Sequence, residues 1–215
     1  MLRYLEYLTC SAEKQDAARK FLHRERHIVR KYFYPVIVLT VLLAFMAGRP
    51  IGYAADAKLE LDWDYLTPMK ANRDLDTVSL HVLQKISEKG SRSVYRGITI
   101  TRPQGSIDYM RQDQDSSATG IGPVYLVRNE RELSGKLAAA FDMSGGFIVY
   151  DKIFPAGGRY YNFMWRAGPQ FVYKFNENTS LNVGYMFMHV SNGGYRGHNP
   201  SYNAHGVSMG VTSKF

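Results

Sequence analysis

From residue 56 onward the chain holds no apolar run long enough to cross a bilayer as a helix. Its apolar residues instead recur at every second position, in short segments separated by turn residues. Successive side chains of a strand point to opposite faces, so this alternation marks half-buried strands. Eight segments carry it: Ala57–Leu66, Thr77–Ser87, Ser93–Arg102, Gly120–Arg128, Gly135–Met143, Tyr161–Phe175, Ser180–Ser191 and Ala204–Phe215. Turn chemistry stands between them in Lys89-Gly90-Ser91, Arg102-Pro103-Gln104-Gly105 and Asn176-Glu177-Asn178. Short and long connections alternate, as in barrels with tight turns at one end and long loops at the other. The expected fold is all-β: an eight-stranded antiparallel transmembrane β-barrel over residues 56–215, its narrow interior filled by side chains.

Residues 1–55 have a different character. Phe33–Gly48 reads FYPVIVLTVLLAFMAG, preceded by Arg24, Arg26, Arg30 and Lys31 and followed by Tyr53-Ala54-Ala55-Asp56-Ala57. A basic region, an apolar core and small residues, in that order, make a secretory signal, with cleavage expected after Ala55 or Ala57. The apolar core is shorter than the roughly 20 residues of a spanning helix, which leaves a retained anchor as the alternative. Leu2, Leu5 and Leu8 fall at helical spacing in the long basic extension before it.

Composition narrows the chemistry. The formal net charge is +8, and +5 of it lies in residues 1–55, so the folded part offers no basic face for nucleic acid. Cys10 is the only cysteine, which excludes an internal disulfide and a cysteine-bound metal cluster. The mean hydropathy of −0.29 would suggest a soluble protein, but in a barrel lipid-facing and lumen-facing residues cancel in the average. Trp63, Tyr65, Tyr160, Tyr161 and Trp165 suit an interfacial aromatic girdle. The tract Asp108–Asp115 reads as a solvated loop. Gly120-Ile121-Gly122 lacks the helix and third glycine of a phosphate loop. His189, His198 and His205 are spaced as no familiar metal-ligand set is.

The densest chemistry is His189-Val190-Ser191-Asn192-Gly193-Gly194, at the end of the seventh segment. His189 and Ser191 share a face with Leu181, Val183, Tyr185 and Phe187, while Asn182, Gly184, Met186 and Met188 take the other. The pair is therefore expected on the lipid-facing exterior. A hydroxyl becomes a competent nucleophile when a neighbouring base takes its proton, and imidazole is suited to that near neutral pH. An interfacial polar pair without chemistry would have the same letters.

The C-terminal stretch HVSNGGYRGHNPSYNAHGVSMGVTSKF resembles the end of the lipid A 3-O-deacylase family, also known as acyloxyacyl hydrolases. Tyr161-Asn162-Phe163 through Arg166 and Gly168 resembles the strand that precedes it there. A final strand ending on an aromatic such as Phe215 also resembles outer-membrane barrels. The resemblance implies an outer-membrane serine esterase that removes an ester-linked hydroxyacyl chain from lipid A (lipopolysaccharide) and needs no cofactor. It implies Ser191 as nucleophile, His189 as general base, and Asn192, Gly194 and Asn199 around the oxyanion. It leaves a homodimer open. The family's third catalytic member is a Glu fourteen residues after the His, and here that position is Asn203. An Asn can orient an imidazole but cannot balance the charge of imidazolium. Three readings follow: a Ser-His-Asn enzyme, a slow enzyme, or a structural or adhesion barrel that has lost the chemistry.

Overall fold

The computed structural model describes residues 58–70, 73–194 and 198–214. The expected leader over 1–55, Ala57 and Phe215 lie outside the described residues. Among the described residues nine strands form: β1 (Lys58–Pro68), β2 (Arg73–Lys89), β3 (Arg92–Tyr109), β4 (Gln112–Asp115), β5 (Gly120–Ser134), β6 (Leu137–Phe154), β7 (Arg159–Lys174), β8 (Thr179–Ser191) and β9 (Tyr202–Lys214). All pairings are antiparallel. The order β2-β1-β9-β8-β7-β6-β5-β3, closed by the β2–β3 pairing, is an eight-stranded barrel; β4 pairs only with β3.

Each of the eight expected segments falls on one wall strand, and most strands run further; Phe175 lies just past the end of β7. The largest departure is at β3. Arg102-Pro103-Gln104-Gly105 is not a turn; β3 runs through it to Tyr109, with Pro103 and Gly105 opposite Thr77 and Leu75. Pro103 still accepts through its carbonyl, from Ala118 N–H at 3.1 Å. The tract 108–115, expected as a loop, is a hairpin that turns at Met110 and Arg111, both with positive φ. Gly135 belongs to the β5–β6 turn rather than to β6.

The wall is inverted relative to a soluble protein. On β1, Leu59, Leu61, Trp63 and Tyr65 are exposed, while Glu60, Asp62 and Asp64 are buried. The exterior of the other strands is equally apolar, with Val78, Leu80 and Val82 on β2, Phe171 and Tyr173 on β7, and Val207, Met209 and Val211 on β9. Apolar residues facing out around a closed sheet, with charges inside, are the mark of a transmembrane barrel.

The buried polar groups are linked to one another. Arg128 donates to Glu60 at 2.7 and 2.9 Å and to Asp142 at 2.8 Å. Arg166 pairs with Asp64 at 3.1 Å, and His81 bridges Asp64 (3.1 Å) and Thr99 (2.7 Å). Asn182 donates to Asp62 at 3.1 Å. Toward the long-loop end the interior becomes apolar, with Leu66, Leu75, Ile107, Tyr150, Phe154, Met188, Val190 and Tyr202 packed together. Tyr202 fixes this plug by donating to the Leu75 carbonyl at 2.5 Å. Met188, Val190, Tyr202 and Ala204 are the inward neighbours of His189, Ser191 and Asn203, so a rigid core stands behind the candidate site.

Candidate active site

The alternation of β8 continues to its end: Val183, Tyr185 and Phe187 face out, and His189 and Ser191 follow on the same face, partly exposed. Both stand at the long-loop end, just beyond the apolar band. Strand register supplies the neighbours. His189 lies opposite Trp165 on β7 and Asn203 on β9, and Ser191 lies opposite Phe163. The His189 Nδ1–Asn203 Oδ1 distance is 2.5 Å. With Asn203 Oδ1 as the acceptor, Nδ1 carries the proton and Nε2 is left as the basic nitrogen. Trp165 stacks on the imidazole, with centroids 5.7 Å apart and planes at 29°. The ring is thus fixed from both sides. No hydrogen bond joins Ser191 to His189 among the described residues; i and i+2 side chains on an extended strand start roughly 7 Å apart at the backbone. Catalytic contacts of this kind are often long without substrate and tighten when it binds.

Asn192 turns the chain out of the strand. Its side chain is buried, donating to the His198 carbonyl at 3.1 Å and accepting from the Gly194 N–H at 3.0 Å. Its own N–H donates to Asn199 Oδ1 at 3.1 Å. Gly193 and Gly194 take φ of +72° and +70°, a left-handed pair that side chains resist. Of the residues expected around an oxyanion, Asn192 and Gly194 therefore spend these donors inside the loop. Among the described residues, the Gly193 N–H and the Asn199 amide nitrogen keep theirs unspent.

Sequence reasoning missed what holds this loop. Tyr109, at the far end of β3, packs its ring against His198 with centroids 5.3 Å apart and planes tilted by 47°, and lies against Gly157 of the β6–β7 connection. The turn signal of Pro103 and Gly105 and the charged tract 108–115 hid the strand that brings Tyr109 there. His198 is thus a loop residue under Tyr109. His205 lies on the β9 exterior, hydrogen-bonded through Nδ1 to the Tyr185 hydroxyl. The three histidines stand in separate settings. Of the girdle residues, Trp63 and Tyr65 stack on the exterior at 6.4 Å, and Trp165 is half exposed. Tyr160 and Tyr161 lie part-buried near the start of β7.

Comparison with known proteins places the fold. The family described as lipid A 3-O-deacylase (PagL) matches residues 58–212. The crystal structure of the outer membrane enzyme PagL superposes with a TM-score of 0.52 at 12% identity, covering 74% of this chain and 99% of that one. That likeness shows the barrel fold. A major outer membrane protein from Thermus thermophilus superposes at 10% identity with a TM-score of 0.44, covering 74% of this chain and 98% of that one. Among curated proteins none matches the chain. The matched stretch reaches all eight wall strands, and the chain belongs to the lipid A 3-O-deacylase (PagL) family of bacterial outer-membrane β-barrels.

Proposed function

We propose that the protein is a serine esterase that hydrolyses an ester-linked hydroxyacyl chain of lipid A, with Ser191 as nucleophile, His189 as general base and Asn203 as the residue that orients His189. The observation that carries this reading is the 2.5 Å contact of His189 Nδ1 with Asn203 Oδ1, on the lipid-facing wall shared by Ser191. His189 Nε2 takes the Ser191 proton as Oγ attacks the ester carbonyl. The Gly193 N–H and Asn199 amide stabilise the oxyanion, and Asn192 and Gly194 hold their loop in shape. The tetrahedral intermediate collapses, the sugar oxygen leaves with the proton from His189, and water then releases the acyl chain by the same steps reversed. The site faces the bilayer because its substrate's acyl chains lie there.

Mass spectrometry of lipid A from cells expressing the protein tests this. Wild type should yield lipid A lighter by one hydroxyacyl chain, and Ser191→Ala should leave lipid A intact while the barrel still folds. A mass loss that survives Ser191→Ala would overturn the assignment. The neutral Asn203, where the family carries Glu, favours a second reading: a barrel without catalysis. Under that reading neither wild type nor Asn203→Glu releases an acyl chain.

A further inference from the structure

Resting on the esterase reading, we infer that a polar strip beside the Ser191–His189 pair, built from Asp76, Thr67 and His205 with Tyr65 and Tyr185, is the subsite for the sugar of the acylated substrate. The wall is asymmetric about His189. On the β6–β7 side its neighbours are apolar or small: Trp165, Phe163, Ala167 and, opposite Trp165, Gly145. On the β9–β1–β2 side the exterior face turns polar. His205 follows Asn203 on that face of β9 and lies opposite Thr67 of β1. Asp76 adjoins Thr77, the partner of Leu66, so it continues the same level on β2. Two strand spacings separate Asp76 from His205, about 10 Å, with Thr67 between them.

The strip is organised. The Tyr65 hydroxyl donates to Asp76 Oδ2 at 2.6 Å, and the Tyr185 hydroxyl is hydrogen-bonded to His205 Nδ1. Thr67 Oγ1 donates to the His205 carbonyl at 3.4 Å. Phe187 stacks on the His205 ring at 6.2 Å, and with Nδ1 taken by Tyr185, Nε2 is the ring nitrogen left for a ligand. Just below, Val78, Val207 and Met209 face lipid.

Charge selects the ligand class. The only formal charge among these five residues is the negative Asp76, so they themselves offer a phosphate no cation. Sugar hydroxyls both donate and accept, which suits a carboxylate, an imidazole edge and phenols together. An ester to be cut joins an acyl chain to a sugar. With the ester carbonyl at Ser191, the acyl chain falls on the Trp165–Gly145 side and the sugar on the His205–Asp76 side.

The test measures binding in the Ser191→Ala protein, in a sugar-free zwitterionic detergent, so that turnover plays no part. Two probes are used: lipid A and a long-chain methyl 3-hydroxyalkanoate, which has the ester and the chain but no sugar. Asp76→Ala and His205→Ala, each added to Ser191→Ala, should raise the Kd for lipid A about tenfold and leave that of the methyl ester within twofold. Parallel weakening of both probes would show only a disturbed wall and overturn the subsite; unchanged binding of both would overturn it equally. Hydrolysis of lipid A by wild type is read separately, so failure of the esterase assignment is distinguishable from failure of the subsite.

Discussion

At the scale of single residues, Asn203 is where the proposed mechanism is most exposed to test. Its amide oxygen meets His189 Nδ1 at 2.5 Å, which is the orienting half of what an acid does in a Ser-His-acid triad. The missing half is charge, needed when the imidazole becomes imidazolium in the transition state. A neutral third member has cost up to about 10⁴ in turnover elsewhere, although there the wrong tautomer was also imposed. Here the acceptor faces Nδ1, so the charge alone is lost. Asn203→Glu should therefore raise the initial rate of hydroxyacyl release by roughly tenfold or more, and Asn203→Ala should lower it by a similar factor. Release of free hydroxy fatty acid by purified protein reads both. A rate indifferent to both changes would remove Asn203 from the site. These residues were legible in the chain because i, i+2 spacing fixes which side chains share a face. The partnership of His189 with Asn203 came from the family resemblance, since a separation of fourteen residues has no local signature.

At the scale of elements, the active-site loop depends on a strand from across the barrel. β3 outruns its partner β5 and delivers Tyr109 over the β8–β9 connection. Tyr109 packs on His198, the His198 carbonyl accepts from Asn192, and Asn192 in turn holds Gly194. Tyr109→Ala should lower kcat for lipid A about tenfold, with KM changed less than twofold, because the loop would lose its hold around the oxyanion. Tyr109→Phe keeps the ring and should restore the rate. Steady-state kinetics on purified protein separates these outcomes; equal loss in both variants would point to the hydroxyl instead. The strand was misread for a physical reason. Pro and Gly at 103–105 signal a turn, but proline's missing donor is tolerated where a strand no longer pairs on that side. Beyond Thr101 the ladder with β5 ends at Gly120, and Pro103 faces the connection before β5, where its carbonyl still accepts from the Ala118 N–H and only the absent donor goes unused.

At the scale of the whole molecule, stability rests on the inverted wall: apolar outside, ion-paired inside. The exterior could be read from alternation, and so could the alternation of Glu60, Asp62 and Asp64 with Leu61, Trp63 and Tyr65. What the chain could not reveal was which distant cations meet those acids. Arg128 and Arg166 come from β5 and β7, and only closure of the ring brings them to β1. Arg128→Leu strands Glu60 and Asp142 without their cation, which should cost roughly 3–5 kcal/mol. Phe171→Arg places a charge on the lipid face and should cost about 2–4 kcal/mol if it lies near the bilayer centre. Urea unfolding in bilayers measures both. A barrel indifferent to both substitutions would contradict this distribution of polarity.

The account stands on Ser191 being an activated hydroxyl at the lipid-facing wall. A long-chain alkyl phosphonofluoridate, delivered in detergent micelles, reacts only with a serine whose proton a base removes. Intact-mass and peptide analysis should find a single adduct on Ser191 in the wild-type protein, and no adduct in His189→Ala. Labelling that spares Ser191 in the folded wild-type barrel, or that proceeds equally without His189, would contradict it.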